Sequence, residues 1–230
     1  MQKGLDLLLT KYSASDKATL VEDGSVEIGG EKYPTLPWES ERRFIELRNL
    51  VLTGRLGNMC TYRIGHTAKK DTNLYKLLFR EIGILEFTVN SPVKEIFAIA
   101  GNNALNCIAE TENGCVCTIE LGATLKAGEA DVDKHEIITD AGVACDRAVD
   151  TQVPQSSVYV YGKNSAVFCD TDAELYGYTE LEINTIRNAF KLASKPETRD
   201  EALDKYEHIA KVVAAAAKSL ETLENVKVGG

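Results

Sequence analysis

The chain has 230 residues, of which 44% are hydrophobic and 27% are charged. These are ordinary values for a packed globular protein, and they exclude a disordered or collagen-like chain. Acidic residues outnumber basic ones by 35 to 26, which gives a formal charge of -9. Because most of such a surface repels a phosphate backbone, we expect no nucleic-acid partner.

Two further classes are disfavoured by the sequence. The longest apolar runs fall short of the ~20 residues that cross a bilayer, and the N-terminal Leu run is followed by no small-residue cleavage site. We therefore expect a cytoplasmic protein that does not enter a membrane.

The six cysteines form no regular framework and fall in apparently buried strands, which predicts reduced core thiols. Three histidines without convergent ligand spacing predict no metal site.

Residues 1–38 are predicted to form a distinct N-terminal segment. Leu5 to Lys11 has helical character. Ala18 to Tyr33 is predicted to form two short strands around Asp23-Gly24, a dipeptide that is typical of hairpin turns. After two prolines, apolar residues at helical spacing predict a helix from Glu39 to Thr53, ended by Gly54.

The next segment combines a strand, a loop and a helix. Met59 to Ile64 is predicted to be a strand, and the polar stretch His66 to Asp71 a loop. Apolar residues then recur every three to four positions from Leu74 to Val89. Asn90-Ser91-Pro92 ends this predicted helix.

From residue 93 to residue 168 the pattern changes to strands of five to ten residues separated by turn signals. Short connections favour an antiparallel meander, and alternation such as His135 to Thr139 predicts one buried and one partly polar sheet face. Helices are predicted again at 181–193 and 199–223. The predicted fold class is α+β, with a largely antiparallel open sheet covered on one face by helices, formed by residues 39–230.

This order of elements, together with several short motifs, resembles the C-terminal domain of the Gfo/Idh/MocA oxidoreductase family. Arg43-Phe44 and the Leu52 to Gly57 segment look like the Arg-Arg-Phe helix of that family and its Gly-x-Ile-Gly turn. Four further segments resemble family strands and the last family helix, in the correct order: 91–96, 112–120, 134–143 and 208–220. The resemblance covers roughly residues 39–228.

The sequence departs from the family where the cofactor should bind. Family members carry an N-terminal Rossmann domain with a Gly-x-Gly-x-x-Gly turn. Gly29-Gly30 lacks the third glycine, the helix and the later acidic residue of that turn. Glu31 to Pro34 imitates the Glu-Lys-Pro motif of the family, but it lies too close to the Arg-Phe helix. We therefore expect this chain alone to bind no cofactor, so that NAD(P) could take part only through a partner subunit.

The acid-base residues of the family are also missing from the helix before Pro92. Family members carry an acidic residue and a histidine there, whereas this chain has Arg80, Glu81 and Gly83 in that neighbourhood. Hydride transfer needs a positioned acid-base group beside the cofactor. The catalytic residues are accordingly left unassigned.

The best candidate ligand site is the polar stretch from Arg63 to Asp71 and the start of the next helix. The resemblance places a sugar or polyol pocket here. His66 suits acid-base chemistry, and cationic side chains suit hydroxyl or carboxylate groups. The other interpretation is a solvated loop with scattered charges. The candidate substrate-binding residues are Arg63, His66, Lys69, Tyr75 and Arg80.

Other polar groups favour structural interpretations. His135 is predicted to be a sheet-surface or interface residue, and Asp146-Arg147 with Asp150 to form a cross-strand ion pair. Residues 152–157 are more simply a turn around Pro154. Tyr159, Tyr161 and Phe168 suit either the core or an interface on the open sheet face.

Three functional hypotheses follow from this sequence. The first is a sugar- or polyol-binding and subunit-association domain, which is not catalytic by itself. Its partners would be copies of the chain meeting through the open sheet face, or a nucleotide-binding subunit. The second is a stand-alone carbohydrate-binding or scaffold protein that has lost oxidoreductase chemistry. The third is cofactor-free chemistry at His66 or Glu81.

Overall fold

The computed structural model describes residues 1–55, 57–146, 157–162, 166–169, 172 and 174–229, with the backbone alone for 157–162 and 166–169. Its contacts divide the chain into two compact units. The first contains Met1–Glu41 and Thr171–Glu207, and the second contains Arg42–Asp170 and His208–Gly230. The predicted N-terminal segment, residues 1–38, lies within the first unit.

Five α-helices and twelve strands fall within these described residues. The helices are α1 Gln2–Lys11, α2 Arg42–Leu52, α3 Leu74–Val89, α4 Glu180–Ser194 and α5 Arg199–Thr222, with short 3-10 helices at Pro37–Ser40 and Pro196–Thr198. The strands are β1 Ala18–Leu20, β2 Ser25–Ile28, β3 Glu31–Pro34, β4 Met59–Lys69, β5 Val93–Gly101, β6 Ala104–Thr111, β7 Val116–Leu125, β8 Val132–Thr139, β9 Gly142–Cys145, β10 Ser157–Gly162, β11 Ala166–Cys169 and β12 Val226–Lys227. No described helix combines the length and apolarity needed to cross a membrane.

The first unit contains a three-stranded antiparallel sheet, one strand more than the sequence predicted. The turn at Asp23-Gly24 connects β1 to β2 as expected. The missed strand is β3, which Gly29-Gly30 joins to β2 with φ angles of 63° and 88°. Because two consecutive positive φ angles suit a tight hairpin turn, the two glycines serve a chain reversal.

A buried ion cluster lies within this unit. The side chain of Glu39 is 5% exposed, and its carboxylate accepts hydrogen bonds from Lys191 at 2.8 Å and Lys205 at 2.5 Å. Burial alone would raise the pKa of Glu39, but the two lysines outweigh it and hold this pKa below its ordinary value. The carboxylate therefore links the segment before α2 to α4 and α5.

The second unit is built on a nine-stranded sheet in the order β11-β10-β9-β8-β4-β7-β6-β5-β12. Its pairs are antiparallel, as predicted, except for the parallel pair β4 and β7. The exception has a topological cause. Helix α3 carries the chain back after β4, and the β5-β6-β7 hairpins then return it beside β4.

One face of the sheet is buried, as the fold class predicted. Along β4 the side chains of Tyr62, Ile64, His66 and Ala68 are buried, whereas the intervening residues are exposed or half-buried. Helix α3 packs against β4, β6 and β7, and α2 packs against α3. The residues on the second face of the sheet are exposed or half-buried along β5 to β8.

The predicted loop from His66 to Asp71 was wrong, because β4 continues to Lys69. Its polar composition suggested a loop, but His66 occupies a buried position in strict alternation with Ile64 and Ala68. The predicted helix from Glu39 to Thr53 is shorter, and α2 begins only at Arg42.

The cysteines agree with the sequence prediction at four of the five described positions. Cys107, Cys115, Cys117 and Cys145 are buried, whereas Cys60 is exposed, so its assignment to the core was wrong. Burial raises the pKa of Cys107 to about 12 and that of Cys115 to about 11, which keeps both groups as thiols. The side chain of Cys169 lies outside the described residues.

A pair of glycine substitutions tests the turn between α2 and β4. Gly54 and Gly57 both have positive φ, but an added Cβ meets open space at Gly54 and would lie 2.1 Å from Asp140 Oδ1 at Gly57. That carboxylate accepts hydrogen bonds from Asn58 N and Nδ2, both at 2.9 Å. We expect Gly54→Ala to lower the free energy of unfolding by about 1 kcal/mol, and Gly57→Ala to lower it further. Urea denaturation measures both, and equal losses would contradict this account of the turn.

Candidate functional site

Seven ionisable residues meet on the buried face of the sheet, and we call them the charged cluster. They come from α2, β4, α3, β8 and the residue after β9, all in the second unit. Its members are Arg43, His66, Arg80, Glu81, Asp133, His135 and Asp146.

Glu81 lies at the centre of the charged cluster. It is on the buried side of α3, and its side chain is fully excluded from solvent. Its carboxylate accepts hydrogen bonds from His66 Nδ1 at 2.7 Å, from His135 Nε2 at 2.8 Å and from Arg80 Nη1. Burial opposes ionisation of Glu81, but Arg80 and His135 outweigh it and hold the pKa of this carboxyl well below its ordinary value.

His135 bridges two carboxylates. Its Nδ1 lies 2.6 Å from Asp146 Oδ2, and its Nε2 lies 2.8 Å from Glu81 Oε2. Because both ring nitrogens face acceptors, both donate and the ring is an imidazolium. Burial would lower the pKa of His135, but Asp146 and Glu81 outweigh burial and raise it to about 9. The ring of Phe44 packs edge-on against it, with centroids 4.7 Å apart.

The prediction that His135 lies on the sheet surface or at an interface was wrong, since its side chain is fully buried. Alternation along β8 was read correctly, but the polar neighbours of His135 suggested the wrong face. His135 points with Ile137 toward the helices, while Glu136 pairs with Arg63 on the other face. The charge partners of His135 explain why an ionised ring is tolerated there.

Two arginines complete the charged cluster. Arg43 Nη1 and Nη2 donate to the two oxygens of Asp133 at 2.7 and 2.8 Å, and Nη1 also donates to Asp146 Oδ2 at 2.9 Å. Arg80 Nη2 donates to Asp133 Oδ2 at 2.9 Å. Burial opposes ionisation of Asp133, but Arg43 chiefly outweighs it and holds its pKa well below the ordinary value. Asp146 therefore pairs with Arg43 and His135; Arg147 and Asp150 lie outside the described residues.

The structure brings together two of the five predicted binding residues, His66 and Arg80, whose Nδ1 and Nη1 atoms are 3.5 Å apart. Arg63 is on the opposite face of the sheet and forms an ion pair with Glu136 at 3.2 Å. Lys69 is exposed at the end of β4, and Tyr75 is 42% exposed in the first turn of α3. The sugar-binding role of these residues stays a prediction.

Sequence reasoning missed most of the charged cluster. No role was predicted for Asp133, and Arg43 was noted only as part of a family motif. One signal was present, because strand alternation places Asp133, His135 and Ile137 on one face of β8, and His66 pairs with Asp133 across β4 and β8. The approach of Glu81 from α3 left no comparable signal.

Two groups of atoms in the charged cluster have the spacing of metal ligands. His66, Glu81 and Asp133 form one group, and Asp133, His135 and Asp146 form the other, with the ligand atoms of each within 4.8 Å of one another. However, Arg80 bridges two members of the first group and Arg43 two members of the second. A divalent cation would therefore have to displace a guanidinium that already neutralises the carboxylates.

The segments that imitate nucleotide-binding motifs do not fit a dinucleotide. Gly29-Gly30 connects two antiparallel strands and leads into β3, without the helix whose N-terminus would receive a pyrophosphate. Glu31 to Pro34 is β3 itself. Residues 152–156, and the side chains of Ser157, Tyr159, Tyr161 and Phe168, lie outside the described part of the chain.

Comparisons with known proteins find similarity in structure alone. No family model and no curated protein sequence matches the chain. A super-repressor mutant of Gal80p from Saccharomyces cerevisiae matches 87% of the chain with a TM-score of 0.66 and 10% identity. Levoglucosan dehydrogenase in complex with NADH and levoglucosan matches 84%, with a TM-score of 0.65 and 11% identity.

An NAD binding oxidoreductase from Klebsiella pneumoniae also matches 84% of the chain, with a TM-score of 0.64 and 11% identity. This chain spans 65% of the length of each of these three structures. At such low identities the matches show a shared fold. Together they confirm the predicted resemblance to a C-terminal part of Gfo/Idh/MocA-type oxidoreductases at the level of the fold.

The raised pKa of His135 predicts alkaline destabilisation. Below pH 6.5, the ordinary pKa, the ring is protonated in both folded and unfolded chains; between 6.5 and about 9 only the folded chain keeps the proton. This contribution to stability is therefore complete below pH 6.5 and is lost as the pH rises through 9, by on the order of 3 kcal/mol.

Urea unfolding of the wild type and of His135→Gln from pH 6 to pH 10 measures this effect. Glutamine does not titrate, so the difference between the two free energies of unfolding isolates His135 from other groups that titrate near pH 9. We expect that difference to shrink as the pH rises. Parallel curves for the two proteins would show that His135 is not a buried imidazolium.

Proposed function

We propose that this chain, which has the fold of the C-terminal part of Gfo/Idh/MocA-type oxidoreductases, binds a sugar- or polyol-type ligand and associates with other subunits in the cytoplasm. It does not transfer hydride by itself. Where hydride transfer occurs, a partner subunit holds the dinucleotide.

The observation that carries this proposal is the position of His66 and Arg80, which both donate to Glu81, at the accessible edge of the charged cluster. The side chains of Arg80 and Asp133 are 26% and 17% exposed and that of His66 is 7% exposed, whereas Glu81 and His135 are fully buried. A ligand would therefore meet His66, Arg80 and Asp133, with a rigid ionic network behind them. Such a set of converging polar groups suits a ligand rich in hydroxyl groups.

The hydrogen bonds and the low pKa of Glu81 argue against acid-base catalysis by this chain without a cofactor. This carboxylate already accepts hydrogen bonds from three side chains and has a pKa well below its ordinary value. A general base must be able to take up a proton near the working pH, which these contacts oppose. Cofactor-free chemistry at Glu81 is therefore the least favoured of the three hypotheses.

The alternative proposal is a stand-alone carbohydrate-binding or scaffold protein that has lost oxidoreductase chemistry. It uses the same ligand site and differs only in the partner. Complex formation with a nucleotide-binding protein favours the first proposal, whereas sugar binding without such a partner favours the alternative.

A nicotinamide-binding assay tests the first proposal. We expect no saturable micromolar binding when NADH or NADPH is titrated into the pure protein, because its glycine pair forms a hairpin. Co-expression with proteins encoded beside it should yield a mixed complex that binds the dinucleotide. Micromolar binding of NADH or NADPH by the chain alone would overturn the proposal that a partner subunit holds the dinucleotide. A homo-oligomer that binds no dinucleotide in any preparation would support the alternative.

The exposed sheet face supports self-association. Ile99, Ile108 and Val116, on adjacent strands, are 56%, 51% and 42% exposed. Apolar side chains grouped on one face are typical of a surface that a partner covers. We propose that a second copy of the chain covers this face.

A substitution on this face tests self-association. Ile108→Lys would place a charge within the interface, so we expect light scattering to give the mass of a monomer. Leu181→Lys, at a 66% exposed position on α4, is the matched control and should leave the native mass unchanged. An unchanged oligomer for Ile108→Lys, or a monomeric wild type, would contradict a homo-oligomer formed through the sheet.

A further inference from the structure

We propose that His66 is the specificity-determining residue of the ligand site, and that Glu81, His135 and Asp146 hold it with Nε2 as a hydrogen-bond acceptor. The site then selects a neutral polyhydroxy ligand over the corresponding sugar acid. This inference rests on the proposed function, since it assigns the ligand class of the same site.

The orientation of the His66 ring follows from its partner. Glu81 Oε1 is an ionised acceptor 2.7 Å from Nδ1, so the proton of a neutral ring is on Nδ1. The second nitrogen, Nε2, is then an acceptor. Within the described part of the chain, the polar partners of the ring, Glu81 and Arg80, both approach Nδ1. Nε2 is thereby left for a ligand.

Glu81 is itself held in place by His135 and Asp146. Its second oxygen accepts from His135 Nε2, and His135 Nδ1 is held by Asp146. Asp146 also accepts from the backbone N of His135 at 2.7 Å, which fixes the ring relative to β8. A rotation of Glu81 would break the bond to a buried imidazolium. The chain from Asp146 to His66 therefore sets one tautomer of His66.

A second acceptor lies beside His66. Asp133 is the cross-strand partner of His66 between β4 and β8, so the two side chains are neighbours on the same face. A ligand at this edge meets the imidazole acceptor and a carboxylate together. Two neighbouring hydroxyl groups can donate to this pair, whereas a carboxylate of the ligand has no proton to donate at neutral pH.

The charges of the cluster also disfavour an acid. Three cations, Arg43, Arg80 and protonated His135, balance three carboxylates, Glu81, Asp133 and Asp146. Both arginines already form ion pairs with these carboxylates. Among the described residues of the cluster, a bound anion would lose its hydration without gaining an uncompensated cation, which is costly in a partly buried site.

Calorimetric titration of the pure protein with myo-inositol, D-glucose and D-glucuronate at one ionic strength tests the ligand class. We expect at least one neutral compound to bind ten-fold or more tightly than D-glucuronate. His66→Asn keeps a polar group near Nδ1 but removes the acceptor at Nε2, and should weaken binding at least ten-fold. Lys211→Gln, at an exposed position on α5 away from the charged cluster, should leave binding unchanged. Equal or tighter binding of D-glucuronate, or unchanged binding by His66→Asn, would overturn the inference.

Nitrogen NMR of the labelled protein tests the arrangement of His66 without any ligand. We expect the Nδ1-protonated tautomer in the wild type and a redistribution between tautomers in Glu81→Gln, because glutamine offers both a donor and an acceptor. An Nε2-protonated ring in the wild type would overturn the positioning role. If no sugar or polyol binds while the Nδ1 tautomer is found, the proposed function fails, the ligand class fails with it, and only the ring assignment stands.

Discussion

The second unit depends on placing one negative charge, that of Glu81, inside a helix-sheet interface. A carboxylate removed from water is costly unless cations and hydrogen-bond donors surround it. Here the donors come from β4, β8 and the preceding residue on α3. Because the partners are far apart in sequence, they reach Glu81 together only when the strands and the helix have their native arrangement. The ionic network therefore forms only in the native sheet topology, and it favours that topology over others.

The same constraint fixes the register of β8. A shift of one residue would turn His135 outward and bring Lys134 and Glu136 against the helices, where nothing balances their charges in the same geometry. Net stability alone does not require this network, since replacing buried ion pairs by well-packed apolar residues is often neutral or stabilising. The network instead suits a site that needs His66 in one orientation, which a purely apolar core would not provide.

Much of the fold could be predicted from local patterns. The bounds of α3, from Leu74 to Val89, and its end at Asn90 were predicted correctly, because the helix follows a single periodicity closed by a turn signal. The long-range features could not be predicted in this way. Neither the insertion of β4 between β7 and β8 nor the burial of His135 is determined by neighbouring residues. In both cases contacts with a distant strand or charge decide the structure. His66 is a further example, because it is buried in a strand although its polar neighbours in sequence suggest a loop.

The position of β4 has a consequence for the order of events during synthesis. Its two neighbours, β7 and β8, begin only at Val116 and Val132, so β4 leaves the ribosome long before either strand exists. Glu81 on α3 stays hydrated meanwhile, because its partner His135 lies on β8. Non-local pairing of this kind slows folding, and it leaves an open strand exposed to association with other nascent chains. The packing of α3 onto the sheet is thereby delayed, since burial of the Glu81 carboxylate becomes favourable only when His135 on β8 is in place.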